Sequence, residues 1–120
     1  MTNQNNSKKY IYKICDQKTW KNAEEKGVFK GSGIDLTDGF IHFSTFEQVK
    51  ETAKLHFNGV KNLLLIKVNT GKLEIKWETS RNNKLFPHLY DVMQLSSVVS
   101  VFELKLDKNN NHILPSEFND

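Results

Sequence analysis

Two rhythms of apolar and polar positions run along this chain. One has a period of two, the mark of a strand with one buried face. Leu73, Ile75 and Trp77 alternate with Glu74, Lys76 and Glu78, and Val98, Phe102, Leu104 and Leu106 lie opposite Val99, Val101, Glu103 and Lys105. Tyr10–Cys15 is dense in strand-forming residues, and His112–Pro115 predicts a last short strand ended by its proline. Between Asn62 and Val68 the apolar run is continuous, as in a strand covered on both faces in the middle of a sheet. The turn Asn69-Thr70-Gly71-Lys72 predicts an antiparallel hairpin between that strand and the next. The other rhythm has spacings of three and four. Asp16 as N-cap, Trp20 and Ala23 on one face and Gly27 as a left-handed cap predict a helix over Gln17–Lys26. Phe46, Val49, Ala53 and Phe57 predict a second helix, closed by Asn58-Gly59. Val28-Phe29 adds a brief extended piece, and the glycine-punctuated stretch Lys30–Gly39 reads as a loop, a plain connector or a lid. Two helices against about six strands, without regular alternation of the two, predict an α+β domain over residues 10–118, behind a polar tail of residues 1–9.

The stretch Gly39-Phe40-Ile41-His42-Phe43-Ser44-Thr45-Phe46-Glu47-Gln48 carries the sharpest chemical signal. In a strand, Ile41 and Phe43 point to the core while His42 and Ser44 share the opposite side. Thr45 with Gln48 three residues on has the capping-box pattern of a helix start, whose free N–H groups suit an anion. A second extended segment, Leu85-Phe86-Pro87-His88-Leu89-Tyr90, places His88 and Tyr90 on one side, with Pro87 holding Phe86 extended.

Composition narrows the classes. The 120 residues are 38% hydrophobic and 26% charged, a globular balance. The net charge of +3 is scattered, with Lys8-Lys9 the longest basic run, so the chain carries no strong nucleic-acid signal. One cysteine, Cys15, rules out an internal disulfide; it is expected as a small core residue. No apolar run approaches a membrane span and the N-terminus lacks a signal-like apolar segment, so the expectation is a cytoplasmic protein without a membrane partner.

The candidate catalytic residues are His42, Glu78 and His88, and the candidate ligand-binding residues are Lys13, Ser44, Thr45 and Tyr90. An imidazole can position a ligand or move a proton near neutral pH. Glu78 could grip ribose hydroxyls or stabilise a cationic sugar, Tyr90 could stack on a ring, and Lys13 or the helix start could hold a phosphate. Each has a structural alternative: His42 bonded to backbone to fasten a turn, His88 buried and satisfied, Ser44 and Thr45 as helix caps, Glu78 as a solvated charge. Arg81, the sole arginine, reads as a loop residue able to fork onto a phosphate. His56 reads as a core-edge residue and His112 as a surface one. Metal-ligand spacing of the CxxC or HExxH kind is absent.

Taken in order, Ile11-Tyr12-Lys13-Ile14, Trp20-x-x-Ala23, Gly39–Thr45 with Gln48, Trp77-Glu78 and Phe86-Pro87-His88-Leu89-Tyr90 resemble the small, mainly bacterial family catalogued as domain of unknown function 952. The resemblance spans Tyr10 to Pro115. It implies a fold similar to the ADP-ribosyltransferases, a compact split antiparallel sheet holding NAD in a cleft, and so a nucleotide such as NAD or ADP-ribose as ligand. Two positions depart from the family pattern. Lys13 stands where the family has a histidine, and Asp91 where it commonly has a glycine. A lysine meets a phosphate as a point charge, without the ring's hydrogen-bond geometry. Two functions follow: an enzyme acting on NAD, ADP-ribose or a related nucleotide, or a non-catalytic module binding a nucleotide, an anion or a protein. A third reading has the motifs only fastening the fold.

Overall fold

The computed structural model describes residues 8–118. Most of the tail expected over residues 1–9 lies outside that range; Lys8 and Lys9 lie within it.

The chain runs β1 (Tyr10–Asp16), α1 (Gln17–Lys26), β2 (Val28–Phe29), α2 (Ile34–Asp38), β3 (Ile41–His42), α3 (Val49–His56), β4 (Leu63–Asn69), β5 (Ile75–Thr79), β6 (Leu85–Leu89), β7 (Met93–Gln94), β8 (Val98–Leu106) and β9 (His112–Ile113). The strands form antiparallel sheets in the orders β1-β4-β8-β9, β3-β6-β5 and β2-β7. The class is α+β, with three α-helices where two were expected. The addition is α2, inside the stretch read as a loop. It is only five residues long and shows no apolar period. Gly39, in the left-handed region at φ 83°, closes it by donating its N–H to the Asp35 carbonyl.

The continuous run in β4 does lie mid-sheet, between β1 and β8. That placement overturns the expected β4–β5 hairpin. Both edges of β4 are occupied, so β5 pairs with β6 instead. The connecting turn carries the chain away from its own strand: Thr70 donates its N–H to Lys9 O and its hydroxyl to Lys8 O. It therefore ties back to the start of β1.

At β1 and β4 the four-stranded sheet buries both faces, while Val99, Val101 and Glu103 leave one face of β8 exposed. Tyr12, Ile14, Leu63, Leu65 and Leu104 pack on one side against Val49 and Ala53 of α3. Ile11, Cys15, Ile66 and Val68 pack on the other, with Trp20 and Ala23 of α1 and Ile41 and Leu89 of the three-stranded sheet. The predicted cap of α1 forms, with Asp16 accepting from Thr19 N–H at 2.9 Å and Gly27 at φ 80°. The two larger sheets meet where Tyr12 and Ser44 exchange backbone hydrogen bonds, each 2.8 Å. That junction sets Lys13, on the core face of β1, beside His42. Among the described residues no helix is long and apolar enough to cross a membrane.

Candidate functional site

Beside this junction lies a cleft of about 830 Å³. Its walls come from β1, α2 and the loop before it, β3, α3 and the start of β6. Strand alternation works as the sequence implied. Ile41 and Phe43 are buried in the core, while His42 and Ser44 both line the cleft. Lys13 and His88 line it too. Glu78, Thr45 and Tyr90 stand outside its walls.

His42 and His88 are directly opposed across the antiparallel β3–β6 pair, with ring centroids 5.3 Å apart. Phe40 backs both rings, at 4.4 Å from each, and Tyr90 packs on Phe40 at 4.8 Å. Each imidazole is tied through Nδ1 to a carboxylate: His42 to Asp35 Oδ1 at 2.6 Å and His88 to Glu78 Oε1 at 2.7 Å. The same Glu78 oxygen accepts the Tyr90 hydroxyl at 2.7 Å. The hydroxyl bond, then the imidazole bond, hold the Glu78 carboxyl below its usual range, and Glu78 in turn raises the Tyr90 phenol. The two ring environments differ at Nε2. His42 Nε2 lies 3.1 Å from Asp38 Oδ2, so both its nitrogens face carboxylates. His88 Nε2 has no protein partner among the described residues and is not sealed off, in a ring that lines the cleft. The His42 ring does not make the backbone bonds considered from sequence, carboxylates holding it instead, and His88 is buried with one nitrogen bonded to Glu78.

Asp35 is the residue that sequence reading missed. Its side chain is fully buried, and its two oxygens meet the His42 ring, the His42 N–H (3.1 Å), Lys13 Nζ (2.6 Å) and the Ser32 N–H (2.9 Å). Burial alone would raise its pKa; Lys13 and these donors outweigh burial and lower it. Burial lowers the Lys13 pKa, with Asp35 opposing. Lys13 also donates to the His42 carbonyl at 2.9 Å. Its ammonium is thus paired inside the protein rather than presented to a ligand. The sequence held one signal for Asp35. Gly31 has φ 113°, and a Cβ there would come within 2.7 Å of the Asp35 Cβ, so this loop is cut to fit the acid.

At another wall, Ser44 Oγ, Thr52 Oγ1 and Arg81 Nη2 form a chain with links of 3.1 Å each. Arg81 lies over Phe86 (4.8 Å), and its Nε is buried without a partner. Arg81 is therefore a cleft residue, and its Nη2 also lies 3.8 Å from Glu51 Oε1. The helix start at Thr45 does not line the cleft. Its capping box closes on itself, with Thr45 N–H donating to Gln48 Oε1 at 2.9 Å, while Gln48 Nε2 donates to Leu85 O. The Thr45 and Gln48 N–H groups are taken up within this cap. Cys15 is fully buried, and burial raises its thiol to about 11. His56 is exposed at the cleft rather than at the core edge, and His112 donates to Val60 O at 2.8 Å. Among the described residues no group of three or more His, Cys, Asp or Glu side chains could hold a metal ion.

A family model described as "Protein of unknown function (DUF952)" matches residues 14–101. The chain is similar to protein CC0527 from Caulobacter crescentus in its crystal structure, with 41% identity, 91% of this chain and 97% of that chain covered, and a TM-score of 0.84. A double mutant of the same protein matches at 40% identity over the same shares, with a TM-score of 0.85. Its solution structure matches at 43% identity over 85% and 90% of the two chains, with a TM-score of 0.76. No curated protein matches.

Proposed function

The chain belongs to the DUF952 family, and we propose that its cleft binds a phosphate-bearing small molecule of nucleotide size, with NAD and ADP-ribose foremost. One observation carries this reading: the Arg81 guanidinium stands in the cleft wall beside the Ser44 and Thr52 hydroxyls, with its nearest carboxylate, Glu51, at 3.8 Å. A guanidinium fixed in place suits a phosphate oxygen. The volume of about 830 Å³ falls in the range of small-molecule sites. Phosphate binds at Arg81, and the rest of the ligand lies toward His42 and His88. Lys13 acts through Asp35 by holding the wall rigid. The ADP-ribosyltransferase-like fold and NAD chemistry remain with the resemblance that suggested them. The pairing of Lys13 with Asp35 favours a second reading, a binding module without turnover, because the cation of that strand is not free for a diphosphate.

A thermal-shift titration with NAD, ADP-ribose, ATP, nicotinamide and inorganic phosphate tests both readings. A ligand that binds only the folded state raises the midpoint by mass action. The expected result is a rise with ADP-ribose or NAD that disappears in Arg81→Met, while the ligand-free midpoint of that variant stays near wild type. No rise with any compound overturns the nucleotide reading.

A further inference from the structure

Across β3 and β6 the two imidazoles meet one space with different surroundings. His42 has a carboxylate on each nitrogen; His88 has a carboxylate on Nδ1 and no protein partner at Nε2 among the described residues, in a ring that is buried but lines the cleft. A nitrogen turned toward a carboxylate is placed to donate, and an unpartnered ring nitrogen is placed to accept. We infer that His42 and His88 form a general acid and general base pair that opens the cyclic phosphodiester of a nucleoside 2′,3′-cyclic phosphate in this cleft, a claim that rests on the nucleotide-binding reading above. The geometry supports the pairing. The rings are 5.3 Å apart, Phe40 packs on both, and the Arg81, Thr52 and Ser44 chain lies in the same cleft to hold phosphoryl oxygens. Phosphoryl transfer depends on such positioning and charge stabilisation more than on covalent help from the protein.

The step balances with water as co-reactant. Water gives one proton to His88 Nε2 as its oxygen forms the new bond to phosphorus. The bond from phosphorus to the leaving ribose oxygen breaks with its electron pair on that oxygen, which takes the Nε2 proton of His42. The products are a phosphomonoester and a free hydroxyl. His88 then loses its proton to solvent and His42 regains one. Glu78 stabilises the imidazolium formed at His88, and Asp35 holds the orientation of His42. Asp38 is a positioning residue. Its carboxylate, on the last residue of α2 before Gly39, sits on His42 Nε2 and must yield that place to the substrate. The charged groups facing the pair are Asp35 and Asp38 from α2, Glu78 and Lys76 from β5, Lys76 being directly opposite His88, and Lys13 from β1 through Asp35.

The probe is adenosine 2′,3′-cyclic phosphate, followed by phosphorus NMR as the cyclic diester becomes a monoester, with ADP-ribose thermal shift measured on the same samples. The wild type should convert the diester with a bell-shaped pH profile, its acid limb set by the base and its alkaline limb by the acid. His88→Asn should lower the rate by roughly 100-fold or more and lose the acid limb, with the ADP-ribose shift retained. Asp38→Asn leaves the Asp35–His42 contact intact and should lower KM, an effect a merely structural Asp38 would not give. If His42→Asn fails to fold, these two variants decide. Conversion by His88→Asn within threefold of wild type overturns the inference, as does a wild type that shifts with ADP-ribose yet converts nothing. Absence of any shift overturns the binding reading itself.

Discussion

The protein builds the same pair twice, an acidic side chain on the Nδ1 of a histidine, and sets the copies in opposite surroundings. Asp35 is sealed in the core and fully coordinated by Lys13, Ser32 and His42. Glu78 lies at the surface, its oxygen shared between His88 and Tyr90. A buried carboxylate with every lone pair engaged cannot change partners without leaving a charge stranded, so the Asp35 pair fixes geometry. A solvated carboxylate can follow its histidine through a change of charge at little cost, so the Glu78 pair leaves His88 free to act. Burial of the carboxylate, more than residue type, separates the two pairs, while the rings run the other way, His42 partly exposed and His88 buried.

Breaking the buried pair should have the largest effect. Asp35→Ala strands the Lys13 ammonium and is expected to cost about 3–5 kcal/mol, measured by urea denaturation at neutral pH. A loss well under that would mean that Lys13 reaches solvent and that the contrast between the two pairs is overstated. A pH series sharpens the same point. The Asp35 carboxyl is lowered in the fold, so its contribution is whole above the unfolded carboxylate value, about 3.9, and is lost as pH falls through the lower folded value. Stability should therefore decline through the acid range, and Asp35→Asn should flatten that decline; an unchanged acid limb would place the protons elsewhere. The smallest effect belongs to Glu78→Gln. Its amide oxygen still accepts from His88 and Tyr90, and the thermal midpoint should stay at the wild-type value. A clear drop would show that the exposed pair fastens the fold as well.

The sequence was informative where periodicity acts. The alternation in Ile41-His42-Phe43-Ser44 assigned two side chains to the core and two to the cleft, and the spacing of Val49 and Ala53 marked the buried face of α3. It was silent where tertiary contact decides. Asp35 sits in a short helix between glycines with no apolar rhythm, and its partners come from β1 and β3, 22 and 7 positions away, as only the folded sheet junction can bring them. Arg81 looked like a loop arginine because nothing local showed that Thr52 of α3 would meet it. The helix start at Thr45 carries the capping box that its motif implies, and that box takes up the Thr45 N–H. The hairpin from β4 failed because a turn signal names a bend, and strand pairing depends on which edges are already filled.

The exchange of backbone bonds between Tyr12 and Ser44 has a mechanical consequence. Within each sheet, strands are held by ladders, but this bridge stitches one sheet to the other by a single residue pair, braced by the Lys13 bond to the His42 carbonyl. A small rotation of one plate against the other strains that seam and leaves the ladders intact. The seam lies at the wall of the cleft, so the shape of the cleft is set by how the two sheets are joined and by neither sheet alone.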